Sequence, residues 1–346
     1  MPSDDPKQPN EPSRIDLALD SVNAGYVAEL YEQYRRDPGS VEREWRTLFE
    51  SGRAGFAPAP PSDGREENGR GAAAAPREPG PPADKPANAQ APQPPPGATP
   101  IKGPAARLVQ NMTASLAVPT ATSFRDIDVG VLEARRRELN GQLAPRKISF
   151  THLIGWAIVR AASEQPSMAS YYTDADGSPH RVDPESISLG LAVDVQRRDG
   201  GRFLVVPVIR DADGLDFAEF HARYEDLVAR ARSNKLSPDD FVGATLTLTN
   251  PGTLGTTASV PRLMPGQGTI VATGAIRDVG PRRVMTVTST YDHRVIQGAE
   301  SGAFLRRIDS LLAGDDGFYE EVFTTLGANA GVAAGADPPT VTDATA

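Results

Sequence analysis

The stretch Ser289-Thr-Tyr-Asp-His-Arg-Val-Ile-Gln-Gly298 gathers groups that can do chemistry. His293 can take and return a proton near neutral pH, and Asp292 and Arg294 flank it with opposite charges. A carboxylate four residues further on would suit a catalytic histidine by steadying its protonated ring. The chain has Gln297 there, followed by Gly298. A second stretch, Thr245-Leu-Thr-Leu-Thr-Asn-Pro-Gly252, reads as a β-branched strand that ends at Thr249-Asn250 before a Pro-Gly turn. The hydroxyl of Thr249 can donate a hydrogen bond to developing negative charge, or it is an ordinary strand threonine. His293 is likewise either a proton carrier or a packed histidine at a strand end, and the residues alone leave both readings open.

Other chemistries are argued against. No phosphate loop, dinucleotide glycine motif or nucleophile elbow is present. The chain has no cysteine, which removes disulfides, thiolate metal ligands and a cysteine nucleophile. Of the four histidines, His152 and His221 fall inside helix patterns and His180 in a polar loop, with no H-x-x-x-H pair. No histidine metal site is expected from that spacing.

The elements that must hold the two stretches are readable in part. Strand-like runs are ISLGLAVDV, FLVVPVI, ATLTLTN, TIVATGAI and RVMTVTST; helix-like runs are LEARRREL, ISFTHLIGWAIVRAASEQP ending at Pro166, LDFAEFHARYEDLVARARSNKLSPDDF and AESGAFLRRIDSLLA. They alternate without regular βαβ spacing, so an α+β mixed-sheet sandwich with helices is expected over 101–325. Ahead of it, Tyr26, Leu30 and Tyr34 share one helical face, and Val41, Trp45, Leu48 and Phe49 another, across the turn signal DPGS. The spacing predicts a helical hairpin over 17–52, too small to fold alone, whose aromatic face packs against something else. Residues 53–100 read as a disordered linker: thirteen prolines lie between 51 and 100, with Phe56 as the lone large apolar residue. Residues 1–16 and 326–346 read as disordered ends.

The net charge of −9 argues against a nucleic-acid partner. The longest apolar run, FLVVPVI, is far too short to cross a membrane, and the polar N-terminus is no signal peptide. A cytoplasmic protein is expected.

Residues 104–318 resemble the catalytic domain of the dihydrolipoyl acyltransferases of 2-oxo acid dehydrogenase complexes, which share the chloramphenicol acetyltransferase fold. The resemblance rests on Asp292-His293-Arg294-Val295-Ile296-Gln297-Gly298 after a strand, on Thr249-Asn250-Pro251-Gly252, and on LVVPVIRDADG and NKLSPDDFVG. KISFTHLIGWAIV, SVPRLMPGQG and STYDHRVIQGAESGAFL are similar to one branch in particular, the fused actinobacterial 2-oxoglutarate dehydrogenases. The hairpin resembles the N-terminal docking segment of 2-oxoglutarate dehydrogenase decarboxylases.

The resemblance implies a transfer of an acyl group, succinyl in this branch, between dihydrolipoyl and coenzyme A thiols. His293 would be the general base and Thr249 the oxyanion donor. Gln297, where the wider family usually carries Asp, would hold geometry. Asn250, Gly252 and Arg135 would meet substrate, and Asp292, Arg294 and Gly298 would support the site; Arg135 reads equally as a surface arginine. Coenzyme A enters as substrate, no cofactor is held covalently, no metal is called for, and the lipoyl group comes in trans from a lipoyl-bearing protein. The implied assembly is a homotrimer among other complex components, with His293 of one subunit facing Thr249 of another. The fused enzymes continue into a decarboxylase, which this stretch of sequence lacks, as it lacks a lipoyl domain. Two alternatives accompany this reading: a catalytically weak or inactive trimeric scaffold that recruits partners, and a transferase for another acyl acceptor.

Overall fold

The computed structural model describes residues 23–51, 95–101, 104–196 and 201–330. The expectations of disorder for 1–16, for most of the linker and for 331–346 lie outside the described residues.

The hairpin forms where apolar spacing asks for it, as α1 (Ala24–Arg36) and α2 (Arg43–Glu50). Between them the Asp37 carboxylate accepts from the Gly39 N–H at 2.9 Å, and Pro38 begins a single 3-10 turn. The aromatic face is buried against this chain's own domain: Tyr26 packs on Phe203 and Phe241, and Trp45 on Phe241. Polar tips are met as well. Trp45 Nε1 donates to the Leu236 carbonyl at 2.6 Å, and the Leu236 N–H donates to the Tyr26 hydroxyl at 2.7 Å. Burial pushes ionisation of that hydroxyl above the ordinary tyrosine range. Removing Trp45 deletes a fully buried ring and the shorter of two hydrogen bonds to the Leu236 carbonyl, so Trp45→Ala is expected to cost about 3–5 kcal/mol. Chemical denaturation checks this; a loss below about 1 kcal/mol would mean that the hairpin is not part of the cooperative unit.

The domain is organised around its longest strand. Taking the strands in chain order, β1 (Thr120–Asp128), β4 (Leu189–Leu191), β7 (Val208–Ile209), β8 (Leu246–Thr249), β9 (Thr269–Thr273), β10 (Arg277–Val279) and β11 (Arg282–Asp292) form a seven-stranded mixed sheet. Its order is β1-β11-β9-β8-β4-β7, with β10 also on β11; β4–β8 and β8–β9 are parallel, the other pairs antiparallel. Residues 284–292 of β11 are buried without alternation, as for a strand covered on both faces. Two small hairpins stand apart, β2 (Tyr171–Ala175) with β3 (Ser178–Val182), and β5 (Val193–Gln196) with β6 (Arg202–Val205).

The helices over the sheet are α3 (Pro104–Ser115), α4 (Gly130–Gln142), α5 (Phe150–Glu164), α6 (Phe217–Arg232), α7 (Gly298–Ala313) and α8 (Phe318–Thr325). α5 is the central one, with Leu153, Trp156 and Ile158 fully buried. It begins in a capping box between Ser149 and His152 and ends at Gln165, where Pro166 removes the next donor. Among the described residues no helix is long and apolar enough to cross a membrane.

Three expectations change. ISLGLAVDV and FLVVPVI each split into two strands, because Pro207 supplies a carbonyl to Leu191 but no N–H to continue the ladder; the chain then divides between the main sheet and the β5–β6 hairpin. Strand β1 carries no apolar alternation, since it is an edge strand with Ile127 as its one buried residue, and it was not anticipated. Residues 326–330, expected in a disordered tail, belong to the fold. Leu326 is buried, and Asn329 exchanges two 2.9 Å hydrogen bonds with the Gln142 side chain.

Candidate active site

His293 follows the last residue of β11 and is exposed in the single chain. Its backbone N–H donates to the Pro119 carbonyl at 3.0 Å, which fixes the turn. The ring stands edge-on to Tyr291, and Nδ1 lies 3.0 Å from the Ile296 carbonyl. A carbonyl only accepts, so Nδ1 carries the proton in the neutral ring. Nε2 is therefore the basic nitrogen.

Asp292 and Arg294, on either side of His293 in the chain, form a closed pair. The buried Asp292 carboxylate accepts from Arg294 Nε at 2.9 Å and Nη2 at 2.6 Å, and from the Arg294 backbone N–H at 3.1 Å. Those bonds to Asp292 push the guanidinium pKa up, and its carbon sits 3.8 Å over the Tyr172 ring. The pair thus clamps the backbone on both sides of His293.

Gln297 is the N-cap of α7, exposed, with its backbone N–H donating to the Glu300 carboxylate at 2.7 Å. Gly298 begins that helix and has no left-handed backbone; a Cβ there would meet only the Tyr291 hydroxyl, at 3.4 Å. The turn into α7 therefore does not require a glycine at 298: any residue tolerated at a helix start fits.

Thr249 closes β8. Hydroxyls of the neighbouring strand residues Thr247, Thr269, Thr288 and Thr290 are each engaged within the chain; among the described residues Thr249 Oγ1 has no such partner. Asn250 donates from Nδ2 to Thr151 Oγ1 at 2.9 Å, which ties the loop to the start of α5. Gly252 is needed for close approach, because a Cβ would run into the backbone of Gly274 and Ala275.

Strand register decides how these groups relate. Thr249 pairs with Ala272, and Ala272 with Thr288, so Thr249 is level with Thr288 on β11. His293 lies five residues further along. At ~3.3 Å per residue, with two strand spacings of ~4.8 Å between, hydroxyl and imidazole are on the order of 15–20 Å apart within one chain. They sit at opposite ends of the sheet, and one chain does not bring them together.

Arg135 is committed elsewhere. It pairs with Glu138 at 3.1 Å and Glu320 at 3.6 Å and lies over the Tyr319 and Phe323 rings, fastening α8 to α4. The expectation that the histidines are scattered also fails in three dimensions. His152 and His221 meet edge to face with ring centroids 4.6 Å apart, and Glu225 joins them. Spacing missed this cluster because it joins two helices; the His221–Glu225 interval of one helical turn was the local signal.

Residues 94–316 match the 2-oxoacid dehydrogenases acyltransferase family (catalytic domain), and residues 16–55 match the 2-oxoglutarate dehydrogenase N-terminus. A curated relative, the 2-oxoglutarate dehydrogenase E1/E2 component of Corynebacterium glutamicum, is 44% identical over 349 residues, covering 88% of this chain and 28% of that one. The chain spans under a third of the length of such relatives. The cubic core of the pyruvate dehydrogenase multienzyme complex matches with a TM-score of 0.53 and 30% identity, over 59% of this chain and 86% of that one. The Azotobacter vinelandii dihydrolipoamide acetyltransferase, solved to probe a serine, a histidine and an asparagine in its catalytic mechanism, matches to the same extent. With the mixed sheet, both strand-end motifs and more than half of the chain matched, this protein belongs to the 2-oxoacid dehydrogenase acyltransferase family.

Proposed function

We propose that this chain moves a succinyl group between dihydrolipoyl and coenzyme A thiols within a 2-oxoglutarate dehydrogenase complex in the cytoplasm. The observation that carries the reading is the state of His293: Nδ1 is held by the Ile296 carbonyl at 3.0 Å, leaving Nε2 to work as a base on an exposed strand end. An ordinary thiol has a pKa near ~8.5 and is mostly protonated at neutral pH. Nε2 takes the thiol proton as sulfur attacks the thioester carbonyl carbon. The resulting oxyanion accepts a hydrogen bond from the Thr249 hydroxyl. Collapse expels the other sulfur, which takes the proton back from His293, so the histidine ends as it began. Coenzyme A is a substrate here, and the lipoyl group is carried by another protein.

The working unit is a homotrimer. The separation of Thr249 from His293 along the sheet supports a site completed by a neighbouring subunit. A cubic assembly, as in the pyruvate dehydrogenase relative, contains threefold axes and is consistent with that. The test is succinyl transfer from succinyl-CoA to dihydrolipoamide by the purified chain. Absence of transfer with any acyl-CoA would leave the scaffold reading instead.

Gln297 serves as a geometric element. In the Azotobacter enzyme the asparagine probed for its role in the mechanism stands four residues after the histidine, the interval between His293 and Gln297, so an amide occupies that place there too. Gln297→Asp is expected to change turnover by less than about tenfold, about 1.4 kcal/mol in barrier. Steady-state kinetics checks it; a gain of several powers of ten would show that a charge is missing from the native site.

A further inference from the structure

We propose that His152, His221 and Glu225 form a binding site for a divalent transition-metal cation of the zinc class, where α5 packs on α6. One ligand atom from each lies within 4.8 Å of the other two. His221 and Glu225 are one turn apart on α6 and share a face. His152, in the first turn of α5, meets them from the other side, its Nε2 2.8 Å from Glu225 Oε1. His152 is 3% exposed and His221 7%, while the Glu225 side chain is 55% exposed, so the trio is walled by protein and open to solvent at its carboxylate.

On His221 the proton position suits a cation. His221 donates to the Lys147 carbonyl, and its Nε2 is buried with no hydrogen-bond partner among the described residues. An unpaired buried acceptor is destabilising, and a cation accepting that lone pair would remove the penalty. A ring nitrogen held by a backbone carbonyl is also how metal-ligating histidines are oriented. His152 Nδ1 accepts from the Ser149 N–H at 3.2 Å, so the proton sits on Nε2 and points at Glu225. To ligate through Nε2, the ring must pass that proton to Nδ1 and give up the Ser149 contact.

Two imidazoles and a carboxylate are the donor set of tetrahedral zinc with the fourth position left to water. Bonds of ~2.0–2.2 Å put tetrahedral ligands roughly 3.3 Å apart, so the 2.8 Å pair of His152 and Glu225 must open by about 0.5 Å while a pair at the 4.8 Å limit must close by about 1.5 Å; rotation of exposed Glu225 supplies its share of both. The site adjoins the acyl-transfer machinery, because Thr151, next to His152, holds Asn250. A cation there would fasten the start of α5 that positions this loop.

The test uses the untagged, chelator-treated full chain with Co2+ as spectroscopic probe and Zn2+ in calorimetry. About one cation per chain is expected, with the visible absorption of tetrahedral Co2+. Glu225→Gln, at an exposed position that leaves packing intact, and His221→Ala should each lower Zn2+ affinity by about 100-fold or more. Zn2+ should raise the Tm of the native chain and not that of Glu225→Gln. A chain that gives no tetrahedral Co2+ spectrum, or Zn2+ binding that Glu225→Gln leaves unchanged, would overturn the site.

Discussion

His293→Ala is expected to lower succinyl transfer by about 10²-fold or more, with the binding of coenzyme A little changed. In the proposed mechanism the imidazole supplies one function, removal of a thiol proton in the transition state, and no neighbouring side chain replaces it. Asp292 is buried and fully committed to Arg294, while Gln297 carries no titratable group. Loss should therefore fall on kcat rather than KM, as for an interaction made only in the transition state. Raising the pH should rescue the variant in part, because a growing fraction of the thiol ionises without help. Fold is not at stake, since His293 lies exposed at a turn whose backbone bond to Pro119 survives the change. Transfer at the native rate by a correctly folded His293→Ala chain would remove the histidine from the mechanism.

Thr249→Ala should lower turnover by about 10²–10³-fold, the usual effect of losing one donor to an oxyanion. The more demanding result comes from mixing the two variants. If each site takes its histidine from one subunit and its threonine from the next, co-assembled His293→Ala and Thr249→Ala chains regenerate intact sites. Random mixing should restore about a quarter of native activity, from two preparations that are each nearly inactive. Were both residues drawn from a single chain, mixing would restore nothing. The register that puts Thr249 level with Thr288 forbids that second arrangement without unmaking the sheet. Activity assays after co-refolding decide the matter, with the mass of the assembly as a check on its size.

Much of the site was readable because it is local. A β-branched run that stops before a turn sets a side chain at a strand end, and this holds for Thr249 and His293 alike. The same locality made α5 and its stop at Pro166 legible, along with the aromatic face of the hairpin. Elements whose sequence lacks an apolar period were not legible. Strand β1 owes its place to the hydrogen bonds offered by β11 rather than to its own pattern.

By itself, then, the sequence determined which residues end strands, which faces are apolar, and which chemistry a histidine, a threonine and an amide can offer. Only the tertiary structure decided their distances. Pairing of β8, β9 and β11 set Thr249 and His293 at opposite ends of one sheet, and packing of α5 on α6 brought His152 beside His221 and Glu225. It also turned the hairpin's aromatic face onto its own domain and committed Arg135 to α8. The physical reason is common to all four. A local period specifies which way a side chain points from its own element, while register and helix packing are set by burial summed over the whole core, which no single stretch encodes.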